Sequence, residues 1–285
     1  MLSKAIQLTK SIYQSLLPAP DTPSTLPGAK GEIQPEKDSA PSGQTDQIDY
    51  NKLHTSNAAR LVDIEHSSVL VVGANTGGDC REFIDLGAAR VDGLDVIDEV
   101  GAAFTHERTT YYKQSIERTN LQSNQYDLIF SFATMEHVTD IHAGFTEMAR
   151  LLKPGGVLYS IAAPLWNSAY GHHMTCFHGH PWVHLVFDRP GILSYANQNG
   201  IQGERGHDIV DIVDYMLDLK FFNKRSSAEY IDAAARQRCL SIARNDLEGG
   251  DPTLLNHPLG QAVLQRYRSD EVLPVVHTLI ATKTA

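Results

Sequence analysis

The chain has 285 residues, a formal net charge of −10 and three cysteines. Its length suits one α/β domain of about 200–250 residues with a tail better than two domains. The acidic balance, with no basic run longer than Lys224-Arg225, argues against a nucleic-acid backbone as partner. No run of about 18 apolar residues is present to span a membrane. The scattered Cys80, Cys176 and Cys239 suit a reducing cytoplasm rather than a secreted disulfide framework.

Residues 1–17 place Leu2, Ala5, Ile6, Ile12, Tyr13, Leu16 and Leu17 roughly on one face of a helix. Such an amphipathic helix can dock on its own domain, cover a ligand site, form a homo-oligomer contact or rest weakly on an interface. The apolar positions are interrupted too often for a signal peptide. Residues 18–46 are rich in Pro, Gly, Ser and Thr and poor in large apolar residues, the composition of a flexible linker. The folded domain is expected over 47–285.

Residues 69–96, VLVVGANTGGDCREFIDLGAARVDGLDV, read as strand, glycine turn, helix and second strand. Gly73 follows the β-branched run at once, where the backbone must turn and leave room for a ligand, and Gly77 and Gly78 repeat that freedom. Asp95 lies about 20 residues beyond, at the tip of the second strand, where a carboxylate can accept hydrogen bonds from ribose hydroxyls. The glycine spacing is G-x-x-x-G-G rather than the dinucleotide G-x-G-x-x-G. Asn75 occupies the position where a pyrophosphate needs a bare backbone, and Asp79 adds negative charge beside it. Both point to a nucleoside cofactor without phosphates.

Residues 125–165, QYDLIFSFATMEHVTDIHAGFTEMARLLKPGGVLYSIAAPL, supply the context that a glycine loop lacks. Residues 126–132 form an apolar and aromatic strand. The period of Ile141, Phe145, Met148, Ala149 and Leu152 predicts a helix, and Lys153-Pro154-Gly155-Gly156 ends it before a further buried strand at 157–163.

The two segments together resemble the Rossmann-like S-adenosylmethionine-dependent methyltransferases, with the glycine loop matching motif I and the E-H pair and L-K-P-G-G turn matching the later half of the core. The resemblance covers about 69–163. It implies a seven-stranded α/β sheet, parallel except for the last strand, with strands at 69–72, 91–95, 109–112, 126–132 and 157–163 and a closing strand at 273–282. A helical insertion is expected before that last strand, at about 208–271, with 226–244 read as helix.

By the same resemblance, S-adenosylmethionine is the cofactor. Gly73, Ala74, Asn75 and Gly77 would hold its methionine part, Asp95 and Val96 the ribose, and Ser115 and Ile116 the adenine edge. Ser115 stands where the family commonly has an acid. Ser131, Phe132 and Ala133, with Thr134 next to them, would lie beside the reacting end. Glu136 is expected to serve the start of the next helix.

Past the fifth strand, WNSAYGHHMTCFHGHPWVH concentrates His172, His173, His178, His180 and His184. Ligands of such sheets sit beyond the carboxyl ends of the strands, so this loop is a candidate substrate border. Its histidine spacing matches no named zinc motif, and no metal ligand is assigned. A general base is the more economical reading, because transfer to a hydroxyl removes a proton near neutral pH. His172 and His173 are favoured for closeness to the strand end, with His137 as a further candidate. Structural histidines that shape the loop are the alternative. Trp182 and Phe187 would either wall a substrate or pack in a core.

The expected activity is methyl transfer to a hydroxyl or amine of a small molecule. The alternatives are a nicotinamide-dependent oxidoreductase, which shares the first strand-helix-strand unit, and a catalytically silent methyltransferase-like subunit serving a partner.

Overall fold

The structure is a computed structural model and describes residues 49–285. The helix expected over 1–17 and the linker over 18–46 lie outside the described residues. Seven strands form one sheet: β1 (Ser68–Val72), β2 (Arg90–Asp95), β3 (Thr109–Lys113), β4 (Tyr126–Phe132), β5 (Leu152–Ala162), β6 (Leu240–Glu248) and β7 (Val276–Lys283). Their order is β3-β2-β1-β4-β5-β7-β6. β1 through β5 pair in parallel, and β7 runs antiparallel to both β5 and β6. The sheet is therefore the one the sequence implied, parallel except for its last strand.

Period-two alternation distributes each central strand between two cores. Val69 and Val71 of β1 face a layer containing Phe83, Ile84 and Phe130, covered by α1 (Tyr50–Ala59) and α2 (Gly78–Asp85). Leu70 and Val72 face Phe145, Met148 and Tyr230, under α3 (Ile141–Leu151) and a second helix described below. Strands buried on both faces need continuous apolar runs, which is why β1 and β4 were conspicuous in the sequence. α3 begins at Asp140, whose carboxylate accepts the Ala143 amide at 2.9 Å.

β5 starts at Leu152, earlier than the turn at Lys153-Pro154-Gly155-Gly156 had implied, and its register on β4 shifts between the Tyr126 and Leu128 pairings. The turn residues are thus a bulged strand opening. Gly155 takes φ +79° there.

Residues beyond β5 build a third core from Trp166, Met174, Phe177, Trp182, Val213, Met216, Phe222, Val263 and Val272. Its helices are α4 (Val183–Val186), α5 (Arg189–Gln198) and α6 (Ile209–Leu217), with α8 (Pro258–Val263) and α9 (Ser269–Val272) later. Between α6 and α8 lies α7 (Ser227–Ala235), the second cover of the Leu70 face.

The expected helix over 226–244 is corrected. α7 ends at Ala235, and Leu240–Glu248 is the edge strand β6, paired only with β7. The insertion is therefore not purely helical. Charged side chains mask the strand: Arg244 pairs with Asp246 at 2.9 Å and with Glu248 at 2.5 Å along its own edge.

Candidate active site

The strand order reverses at β1, which has β2 on one side and β4 on the other, and ligand crevices of doubly wound sheets open at this switch point. A cleft of about 290 Å³ lies there. It is lined by Val72, Gly73, Leu94, Asp95, Val96, Gln114, Ser115, Ile116 and Glu117, and by Thr134, His137, Val138, Thr139, Tyr215, Lys220 and Phe221.

Gly73 leaves β1 with φ +78°, and its amide and that of Ala74 both donate to the Leu94 carbonyl, at 2.8 and 3.1 Å. A Cβ on Gly73 would stand 1.9 Å from Thr134 Oγ1. Two strand tips thus approach so closely that only glycine fits. Gly73→Ala should lose roughly 2 kcal/mol or more of folding stability, since it adds left-handed strain to the clash. Urea denaturation measures the loss, and Gly73→Ala/Thr134→Ala should recover only some of the steric part, because the Cβ at position 134 would still stand 2.7 Å from the added methyl. An unchanged urea midpoint in the single variant would contradict this account.

Asp95 closes the same corner. Its Oδ2 accepts the Asn75 amide at 2.8 Å, and its Oδ1 accepts the amides of Val96 at 2.7 Å and Ile97 at 3.4 Å. The carboxylate is fixed at the strand tip by backbone donors and lines the cleft. Val96, 49% exposed, and Ile116, buried, give the cleft apolar surfaces on either side of this acid. Ser115 Oγ lies 3.2 Å from Glu117 Oε2 and accepts the Glu117 amide at 3.2 Å. Glu117 Oε1 accepts the Asp140 amide at 2.7 Å.

Five of the eleven cofactor candidates named from sequence, Gly73, Asp95, Val96, Ser115 and Ile116, line the cleft. Ala74, Asn75 and Gly77 form the turn behind it. Asn75 has φ +47° and Gly77 φ +104°, where Gly77 begins α2 and a Cβ would meet the Tyr111 hydroxyl at 2.6 Å. Asp79, in the first turn of α2, is buried and accepts Asn51 Nδ2 at 2.7 Å, which ties α1 to the turn. Ser131, Phe132 and Ala133 are buried at the β4 end, and Thr134 is the tip residue that reaches the cleft.

The histidine candidates separate. His137 lines the cleft; His172 and His173 do not. His137 ends a short 3₁₀ turn, Met135–His137, and its Nδ1–H donates to the Phe221 carbonyl at 2.5 Å. Nε2 is then the basic nitrogen, 3.9 Å from Glu136 Oε1. Burial lowers the His137 pKa to about 4, against a smaller rise from the Phe221 hydrogen bond.

His173, at φ +62°, donates from Nε2 to the Pro164 carbonyl at 3.0 Å and sets its ring edge against His137 at 5.5 Å. His172 accepts the Met174 amide on Nδ1 at 3.0 Å and packs against His184 and Phe177. Burial pushes both well below the ordinary value of 6.5. The ring of Trp182 is buried and its indole N–H donates to the carbonyls of Asn167 and Val272. Phe187 stacks near Tyr195, and neither aromatic lines the cleft. Among the described residues, no group of three His, Cys, Asp or Glu is arranged to hold a metal.

Sequence reading missed Tyr215, Lys220 and Phe221. They come from the insertion, and no local pattern announces that the end of α6 folds over the His137 turn. The one available signal was the length of the insertion itself.

Sheet order, glycine turn and strand-tip acid together define a Rossmann-like α/β domain with its ligand cleft at the switch point. Residues 70–160 match the family model of the methyltransferase domain. The fold is similar to an S-adenosylmethionine dependent methyltransferase from Mesorhizobium loti, with TM-score 0.50 and 16% identity over 80% of this chain and 96% of that one. In sequence, the chain is 29% identical over 97 residues to a sterol 24-C-methyltransferase of Yarrowia lipolytica, covering 31% of this chain and 26% of that protein. It is 30% identical over 115 residues to a malonyl-[acyl-carrier protein] O-methyltransferase of Enterobacter lignolyticus, covering 38% of this chain and 45% of that one. The match thus spans less than half the length of these relatives. Residues 70–160 thus carry a methyltransferase-domain match, and the fold is that of the Rossmann-like S-adenosylmethionine-dependent methyltransferases.

Proposed function

We propose that this protein transfers a methyl group to an acidic hydroxyl of a small aromatic molecule, with His137 as general base. The observation that carries this reading is that His137 lines the same cleft as Asp95 together with Tyr215, Phe221 and Lys220. When bound, S-adenosylmethionine supplies an electrophilic methyl on a sulfonium, which an oxygen nucleophile displaces in line. Gly73 and Asp95 fix the donor end, and His137 Nε2 receives the acceptor proton because Nδ1–H is committed to Phe221.

An imidazole held near pKa 4 is fully unprotonated at neutral pH, yet it provides little driving force against an alkyl alcohol. It suits a phenol-like hydroxyl, whose proton is already weakly held. Tyr215 and Phe221, with ring centroids 4.1 Å apart, offer a flat aromatic wall, and the exposed Lys220 brings positive charge for a developing phenolate. Positioning supplies most of the rate and the base contributes about 10²- to 10⁴-fold.

The test is calorimetry with S-adenosylhomocysteine, followed by S-adenosylhomocysteine release with panels of phenols, sugars and amines. Binding and turnover on phenols are expected, with His137→Gln lowering kcat by about 10²- to 10⁴-fold at unchanged S-adenosylhomocysteine affinity. Binding of NADH in place of S-adenosylhomocysteine would overturn the reading in favour of an oxidoreductase. Turnover that His137→Gln leaves intact would remove the base.

A further inference from the structure

The turn that carries His137 has no side-chain cap of its own: no hydrogen bond from the Thr134 side chain closes the start of Met135–His137. A single 3₁₀ turn has poor internal hydrogen bonds, so what holds it must come from elsewhere. It comes from the insertion, first from Asn223 and also from the Tyr230 hydroxyl, which donates to the Met135 carbonyl at 3.3 Å. Asn223, 6% exposed, donates from Nδ2 to the carbonyls of Met135 at 2.8 Å and Val138 at 2.9 Å. Its backbone amide donates to the Glu136 carbonyl at 3.1 Å. Its Oδ1 accepts the Arg225 amide at 3.0 Å, and Arg225 in turn reaches the Thr139 carbonyl at 3.1 Å. The Tyr230 hydroxyl lies 2.9 Å from Nδ2 and closes the group from α7.

We propose that Asn223 is the positioning residue of the site: it clamps the Met135–Val138 turn to the insertion and so fixes the tautomer and direction of the His137 ring. The geometry is specific to an amide. Two N–H donors on one planar group reach two carbonyls that flank His137, while the neighbouring Phe221 carbonyl receives His137 Nδ1–H. A carboxylate of the same shape offers no donor to either carbonyl. The groups facing the His137 ring are Glu136 at 3.9 Å, the His173 ring at 5.5 Å and the Phe222 ring at 5.4 Å. None of them sits where it could replace the clamp on the backbone.

This role deepens the reading of His137 as base, but its test does not depend on turnover. In full-length protein labelled with ¹³C and ¹⁵N histidine, with His137 assigned by His137→Gln, the wild-type resonance should report the Nδ1–H tautomer and stay neutral well below pH 6.5. Asn223→Asp and Asn223→Ala should both mix the tautomers and raise the titration midpoint of His137 by at least one pH unit. Their affinity for S-adenosylhomocysteine should stay within threefold of wild type, because the donor-side wall is untouched. If neither variant folds, Asn223→Ser, which keeps one donor, should move the same resonance part of the way. A variant that folds, is destabilised and leaves the His137 titration unmoved would overturn the proposal, since that is what general packing predicts. A shifted titration in a protein that never releases S-adenosylhomocysteine from any acceptor would instead sink the catalytic reading and leave the clamp standing.

Discussion

Acidification from pH 6.5 toward 5 should unfold this protein, at a cost on the order of 5 kcal/mol per pH unit. Burial lowers His54, His137, His184 and His277 to about 4, and holds His172 and His173 well below their ordinary value. Above the ordinary value of 6.5 these imidazoles are neutral in both folded and unfolded chains. Between 6.5 and 4 the unfolded chain binds protons that the folded chain refuses, so stability rises with pH across that window and is lost as pH falls through it. Each such histidine contributes up to about 1.4 kcal/mol per pH unit, and the four held near 4 give the figure above. A domain of ordinary stability, about 5–15 kcal/mol, does not survive that slope far below pH 6. Urea denaturation at pH 8, 7, 6 and 5 measures it. A midpoint that stays constant down to pH 5 would show that the folded interior accepts these protons. Because His137 is itself neutral down to about 4, loss of activity on acidification should follow the unfolding transition and not the titration of an ordinary histidine.

Replacing Asp95 should have the largest effect on the cofactor. Asp95→Ala removes the carboxylate proposed to hold the ribose and also releases the Asn75, Val96 and Ile97 amides that it gathers. Hydrogen bonds to a charged group contribute about 1.5–3 kcal/mol each, so the affinity for S-adenosylhomocysteine should fall about 100-fold or more. Asp95→Asn separates the two roles. It keeps the shape and one acceptor oxygen, but an amide directed at the Asn75 N–H sets donor against donor, and a reversed amide turns its donors toward the Val96 amide. Asparagine should therefore recover little of the loss. Calorimetry on both variants decides, and affinity within threefold of wild type in both would mean that this acid does not hold the ribose.

The residues that announced the fold are those buried by short-range order. β1 and β4 are mostly apolar because both their faces are covered, and Gly73 and Asp95 mark the strand tips where the chain must turn. β6 was invisible for the opposite reason: an edge strand facing water can be written in Arg244, Asp246 and Glu248, and such a pattern reads equally well as an exposed helix. The donor side of the cleft was legible because its parts follow one another within a single strand-helix-strand unit. The acceptor side was not. Tyr215, Lys220 and Phe221 meet His137 only through tertiary packing across some eighty positions of sequence, recorded in the separation of His137 from Phe221. His172 and His173 were favoured for nearness to a strand end, yet their loop turns inward and spends its imidazoles on backbone groups and on the third core.

The placement of β7 has a bearing on how the protein is made. β7 follows β6 in the chain but is inserted between β5 and β6, with Leu158 facing Ala281 on one side and Leu240 facing Lys283 on the other. During synthesis the strands that carry the donor wall emerge first, and their sheet has an open flank until β7 arrives. By then the part of the site supplied by the insertion has left the ribosome, because Tyr215, Lys220, Phe221 and Asn223 lie between β5 and β7 in the chain. No nascent chain can close its sheet while still lacking Tyr215, Phe221 or Asn223, so the scaffold is completed only after every residue of the site has been made.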